Sequence, residues 1–137
     1  MKKTISTKNA PQALGPYSQA VWAGDLLFIS GQIPLNPKTG RFVSEDVKEQ
    51  TKQVLKNISA ILQEAGLRMD DIVKTTVYLI DMNDFAAMNE IYSTFFEKDF
   101  PARAAVQVTK LPLGASVEIE AIANCYEQGE NVEYSQS

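Results

Sequence analysis

Apolar and polar residues recur with two periods along this chain. Gln19-Ala20-Val21-Trp22-Ala23 and Leu26-Leu27-Phe28-Ile29-Ser30 are strand-like runs on either side of Gly24-Asp25, which predicts a hairpin. From Ser44 to Ala65 the period changes. Val47, Val54, Leu55, Ile58, Ile61, Leu62 and Ala65 fall on one face of a helix, and Lys48, Lys52 and Lys56 project elsewhere. Ser44 or Asp46 is its N-cap, and Gly66 with Leu67 suits a Schellman ending.

Ile72 to Ile80 is rich in β-branched residues and reads as a strand. Val73, Val77 and Leu79 are expected on one side of it, Ile72, Tyr78 and Ile80 on the other. Asp81 caps a second helix whose apolar face is Phe85, Met88, Ile91, Tyr92, Phe95 and Phe96. That helix is expected to end at Lys98-Asp99, before Pro101. Residues 102–108 and 117–124 then alternate as two further strands. Residues 1–8 read as an arm or short edge strand, and Pro11, Gly15 and Pro16 make 9–16 a loop.

The order is β-β-β-α-β-α-β-β, an α+β domain over residues 1–125, with a polar, acidic and mobile tail at 126–137. Two helices cover one face of a sheet. Strand 72–80 is apolar on both faces, so the second face is expected to pack on other subunits of a closed homo-oligomer.

Composition narrows the chemistry. The 137 residues suit one domain, with a net charge of −4 and no histidine. Glu127, Glu130 and Glu133 carry three of those four charges, so the core is close to neutral. The commonest general base and metal ligand is missing, and zinc sites of the His or paired-Cys kind are excluded. No basic patch with interleaved aromatics points to nucleic acid. No apolar run is long enough to span a membrane, and none follows Lys2 and Lys3 as in a signal peptide. The lone Cys125 fits a reducing, cytoplasmic compartment; with no His or basic cluster near it in sequence, it reads as inert.

Two charged residues break the strand patterns. Arg103 is one of three arginines, with Arg41 and Arg68, and shares a strand face with Ala105 and Gln107. The two flanking alanines leave space around its guanidinium, which can fork onto a carboxylate or simply pair for packing. Glu118, Glu120, Ile122 and Asn124 share a face of the last strand. Glu120 lies deep enough to hold or activate a water, whereas Glu118 is equally well explained as a solvated rim. Tyr17, Ser30-Gly31 and Asn89 are weaker candidates, explained as readily by packing or turn formation.

Gly15-Pro16-Tyr17-Ser18-Gln19-Ala20, Ser30-Gly31-Gln32-Ile33-Pro34, Asp71 to Val77, Asn83-Asp84-Phe85, Pro101-Ala102-Arg103, Leu111-Pro112 and Glu118 to Ala123 occur in this order and spacing. Taken together, residues 3–124 resemble the Rid (YjgF) family, and most closely its RidA branch, the enamine/imine deaminases. The resemblance implies a chorismate-mutase-like fold with the last strand inserted centrally. It also implies a homotrimer with clefts between subunits, no cofactor, and a functional link to pyridoxal-phosphate dehydratases that release 2-iminobutanoate or 2-iminopropanoate. Carried over residue by residue, Arg103 grips the substrate carboxylate and Glu120 orients or deprotonates the attacking water. Tyr17, Ser30, Gly31 and Asn89 line the cleft, with backbone amides near Ala105. Several relatives have cysteine where this chain has Ala105, so a thiol-dependent step is not expected. The competing readings are a non-catalytic trimer that senses 2-oxo acids or docks on a regulatory partner, and a ribonuclease.

Overall fold

The computed structural model describes residues 1–126, so the expected tail, apart from Tyr126, lies outside the described residues. Six strands and two helices follow the expected order: β1 (Lys3–Ile5), β2 (Ala20–Ala23), β3 (Leu26–Gln32), α1 (Val47–Glu64), β4 (Ile72–Leu79), α2 (Phe85–Ser93), β5 (Ala102–Gln107) and β6 (Val117–Asn124). They form one mixed sheet in the order β1-β2-β3-β6-β4-β5. Among the described residues only β4 and β5 run parallel, joined over α2 as a parallel pair requires. The last strand sits between β3 and β4, antiparallel to both.

Local chemistry sets these elements. The β2–β3 turn places Gly24 at φ 60°, in the left-handed region where glycine is unstrained. At the start of α1, Asp46 is the N-cap and its carboxylate accepts from the Glu49 amide at 3.1 Å. The helix ends as a Schellman motif, with the Leu67 amide donating to the Leu62 carbonyl at 2.8 Å and the Gly66 amide to Gln63 at 3.0 Å.

The second helix is shorter than its apolar period suggests, ending at Ser93 rather than Lys98-Asp99. The Ser93 and Thr94 hydroxyls donate to the carbonyls of Glu90 and Ile91 at 3.0 and 2.6 Å, satisfying the final turn from within. Asp99, at φ 54°, then swings the chain into β5.

Leu27, Ile29, Val77, Leu79, Val117, Ile119, Ala121 and Ala123 bury the helix-facing side of the sheet under Val54, Leu55, Ile58, Ile61, Leu62, Met88 and Tyr92. One expected orientation is reversed. An irregularity in the β4–β6 register between Ile72 and Lys74 turns Ile72 into this core beside Thr75, Val77 and Leu79. The open face of β4 therefore carries Lys74, Thr76 and Tyr78 rather than a continuous apolar row. Apolar surface on that face comes instead from Phe28, 44% exposed, and the half-buried Ile122 opposite it.

Three buried amides fix the loops around the sheet. Gln19 accepts from the Thr7 amide at 2.7 Å and donates to the Thr7 and Pro11 carbonyls at 3.1 and 2.7 Å, tying down the segment that leads to Tyr17. Asn57 donates to the carbonyls of Ile33 and Leu35, and Gln50 bonds both Ser44 and the Ser116 amide. Each exchanges the desolvation cost of a buried amide for backbone partners that a loop would otherwise leave open.

Candidate active site

Arg103 is held from the helix side. It sits on edge strand β5 in register with Thr75 of β4, whose side chain faces the core. Its Nη1 donates to Asn89 Oδ1 at 2.7 Å. Its Cζ lies 4.9 Å from the Tyr92 ring centroid and 5.4 Å from that of Phe85, both within cation–π range. Asn89 thus engages the arginine, which places the two expected residues together. Ala105, two residues on, lies on the same strand face and packs against the core. A cavity of about 420 Å³ opens beside the guanidinium, lined by Asn89, Tyr92, Ser93, Phe100, Pro101 and Arg103.

Glu120 is on the other side of the sheet. It pairs in register with Thr76 of β4, and Glu118 pairs with Tyr78. Glu120 lines an open-face cavity of about 360 Å³ with Ser30, Lys74, Thr76, Phe28 and Ile122. Ser30 reaches this place because its hydroxyl donates to the Ser18 carbonyl at 2.6 Å and its amide to the Gln19 carbonyl at 2.9 Å. Gly31 lies directly under Glu118, where a Cβ would stand 2.4 Å from Oε2. Glycine is therefore needed here for a close approach, not for a turn.

Glu118 is half-buried and Glu120 exposed, the reverse of the depths expected from the strand pattern, because Glu118 lies over Gly31 while Glu120 faces the open cavity. Burial pushes the Glu118 carboxyl above the usual carboxylate range, and the charge of Glu120 adds to the effect. The Tyr78 phenol is pushed up by partial burial first and by the two carboxylates after it. On the far side of the sheet, burial raises the Tyr92 phenol, opposed by its bond to Thr75 and by Arg103.

Tyr17 stands apart from both groups. Half exposed, it accepts from the Leu14 amide at 3.2 Å and borders a smaller cavity with Gln12, Ser18 and Gln19. Within one chain, then, the expected residues form two groups and a singlet: Arg103 with Asn89, Ser30 and Gly31 with the glutamates, and Tyr17 alone. The sequence pattern places Phe85 and Tyr92 only in a core and Tyr78 only on a strand. The spacing of Phe85, Asn89 and Tyr92 at i, i+4 and i+7 was the available signal, since it puts all three on one helical stripe.

Comparison with known proteins agrees with this architecture. Residues 7–125 match the family described as endoribonuclease L-PSP. A RutC family protein of Pyrococcus horikoshii is 58% identical over 123 residues, covering 90% of this chain and 98% of the relative. Proteins named 2-iminobutanoate/2-iminopropanoate deaminase from Mus musculus and Escherichia coli K12 are 54% and 53% identical, covering 90% of this chain and 91% and 98% of theirs. The solved YjgF gene product of E. coli superposes with a TM-score of 0.87 at 51% identity, over 90% of this chain and 99% of that one. By its sequence and by its fold, the chain belongs to the Rid (YjgF) family, whose members include the RidA deaminases.

Proposed function

We propose that this protein is an enamine/imine deaminase that hydrolyses short 2-imino acids, 2-iminobutanoate and 2-iminopropanoate, to 2-oxo acids and ammonia. The observation that carries this reading is that one chain offers both an anchored but open guanidinium on one sheet face and, on the other face, a carboxylate with no cationic partner within salt-bridge distance among the described residues. The relatives named for this reaction supply the substrate.

In the reaction, Arg103 takes the carboxylate of R–C(=NH2+)–COO− through two parallel hydrogen bonds. Water adds to C2 as Glu120 accepts its proton. The carbinolamine then takes that proton on nitrogen, the C–N bond breaks to release ammonia, and the hydroxyl proton passes by way of Glu120 to that ammonia as the carbonyl forms. The products are R–CO–COO− and ammonium. An iminium carbon is already electrophilic, so positioning and one acid–base group suffice.

The same geometry argues for more than one copy per site. Arg103 and Glu120 project from opposite faces of a single sheet, so a site that uses both takes them from different subunits. Strand β5 is open along its outer edge and exposed on both faces, with Val106 43% exposed, which suits it to cover a second chain. We assign the assembly as a closed trimer with inter-subunit clefts. A ribonuclease is disfavoured by the chain itself: it has no histidine, and Glu118 and Glu120 on the open face repel phosphate. The test is ammonia and 2-oxobutanoate formation from imine generated by a threonine dehydratase, with spontaneous hydrolysis subtracted. No acceleration by the intact protein rejects the reading.

A further inference from the structure

We propose that α2 cages Arg103 so that it presents one edge, Nε with Nη2, to a single substrate carboxylate, and that Tyr92 and Phe85 are the positioning residues that enforce this. The proposal rests on the reading of Arg103 as the carboxylate clamp and adds which residues make it one.

The cage is built from one helical stripe. Phe85 and Tyr92 lie against the guanidinium, with ring centroids 5.4 and 4.9 Å from Cζ. Asn89, between them on the same face, accepts a hydrogen bond from Nη1 on its Oδ1 at 2.7 Å. A guanidinium offers a carboxylate two edges for a bidentate contact, Nη1 with Nη2 or Nε with Nη2. Asn89 already engages Nη1, a member of the first edge. Among the described residues neither Nε nor Nη2 has a hydrogen-bond partner, so the second edge is the one left to a carboxylate, which docks side-on.

Tyr92 is itself anchored. It is 4% exposed, and its hydroxyl shares a 2.7 Å hydrogen bond with that of Thr75. Thr75 is the register partner of Arg103, so the ring is tied to the same rung of the sheet as the arginine it supports. Phe96 packs 5.0 Å from the Tyr92 ring, and Phe100 6.0 Å from Phe96, which backs the cage with a row of aromatics. A long, flexible side chain normally loses much rotamer freedom when it grips an anion. Here that ordering takes place during folding, before substrate arrives.

The test is calorimetric titration of 2-oxobutanoate into the assembled protein, with steady-state kinetics on the same variants. Tyr92→Leu is expected to weaken binding about tenfold and Phe85→Leu about threefold, with KM rising and kcat nearly unchanged. Tyr92→Phe, which keeps the ring, should remain within about threefold of wild type. In 15N spectra, 2-oxobutanoate should shift the Arg103 Nε–H strongly. The two Nη groups should be resolved in wild type and averaged in Tyr92→Leu, as hindered rotation gives way to free rotation.

If Tyr92→Leu does not fold, the affinity of the half-buried Phe85→Leu and the movement of its Nη signals toward averaging carry the decision. If Arg103→Ala abolishes binding while Tyr92→Leu and Phe85→Leu bind like wild type, the cage is wrong and the clamp stands. If Arg103→Ala binds as wild type does, both are wrong.

Discussion

Gly31→Ala adds a methyl group where Glu118 already sits. Its Cβ would stand 2.4 Å from Oε2, 2.9 Å from Cδ and 3.2 Å from Cγ of Glu118. Comfortable contact begins near 3.5 Å, so the carboxyl must retreat by about 1 Å. Rotating its end is not enough, because Cγ is also too close, and the group is half-buried between β3 and β4. Overpacking of this kind costs about 1–3 kcal/mol. For a chain of this size that lowers Tm by about 3–15 °C.

A double-mutant cycle isolates the cause. Gly31→Ala, Glu118→Ala and the double variant are unfolded in urea at one fixed protomer concentration. With Glu118 shortened, the added methyl meets open space, so the double variant should recover most of the Gly31→Ala loss. The coupling is then about 1–3 kcal/mol. Effects that add to within about 0.5 kcal/mol would show that Gly31 is not the seat of Glu118.

Three further outcomes follow from the same geometry. Folding raises the Glu118 carboxyl, so between its ordinary and raised values the folded protein binds more protons than the unfolded chain, and stability falls as pH rises through that window. Glu118→Gln should therefore gain stability relative to wild type as pH increases from about 4 to 7; parallel urea midpoints across that range would contradict the shift. Val106→Lys places a charge on the exposed face of β5 and should move the proposed trimer toward monomer in sedimentation, with loss of activity; an unchanged sedimentation coefficient would remove β5 from the interface. Gln19→Ala strands the Thr7 amide and two or more carbonyls, costing about 1–3 kcal/mol, and should speed hydrogen exchange in residues 7–18 more than in α1. Uniform protection would refute its part as a loop clamp.

The elements were legible because their periods are unmixed. Helix α1 has one apolar face and two conventional caps, and the β2–β3 hairpin is marked by Gly24. The misplaced features have local causes that a period does not record. Ile72 turns inward because the register slips beside it, and α2 stops at Ser93 because two hydroxyls satisfy its last carbonyls. Arg103 and Glu120 stood out as charges in apolar strands, yet alternation within each strand does not say which sheet face each joins. That depends on β6 pairing centrally and on β5 lying at the edge. Glu118 reads equally as rim or site from its own strand, because the Gly31 backbone it approaches closely is distant in sequence.

The central claim is that imine hydrolysis takes Arg103 from one subunit and Glu120 from another. Arg103→Ala and Glu120→Gln chains, co-expressed in equal amounts and assembled at random, test it in one assay of 2-oxobutanoate release. Each variant alone should be inactive. In the mixed cyclic trimer about a quarter of the clefts would receive both native residues, so about a quarter of wild-type activity should return. A mixture as inactive as its parents, or either variant alone at full rate, would contradict the account.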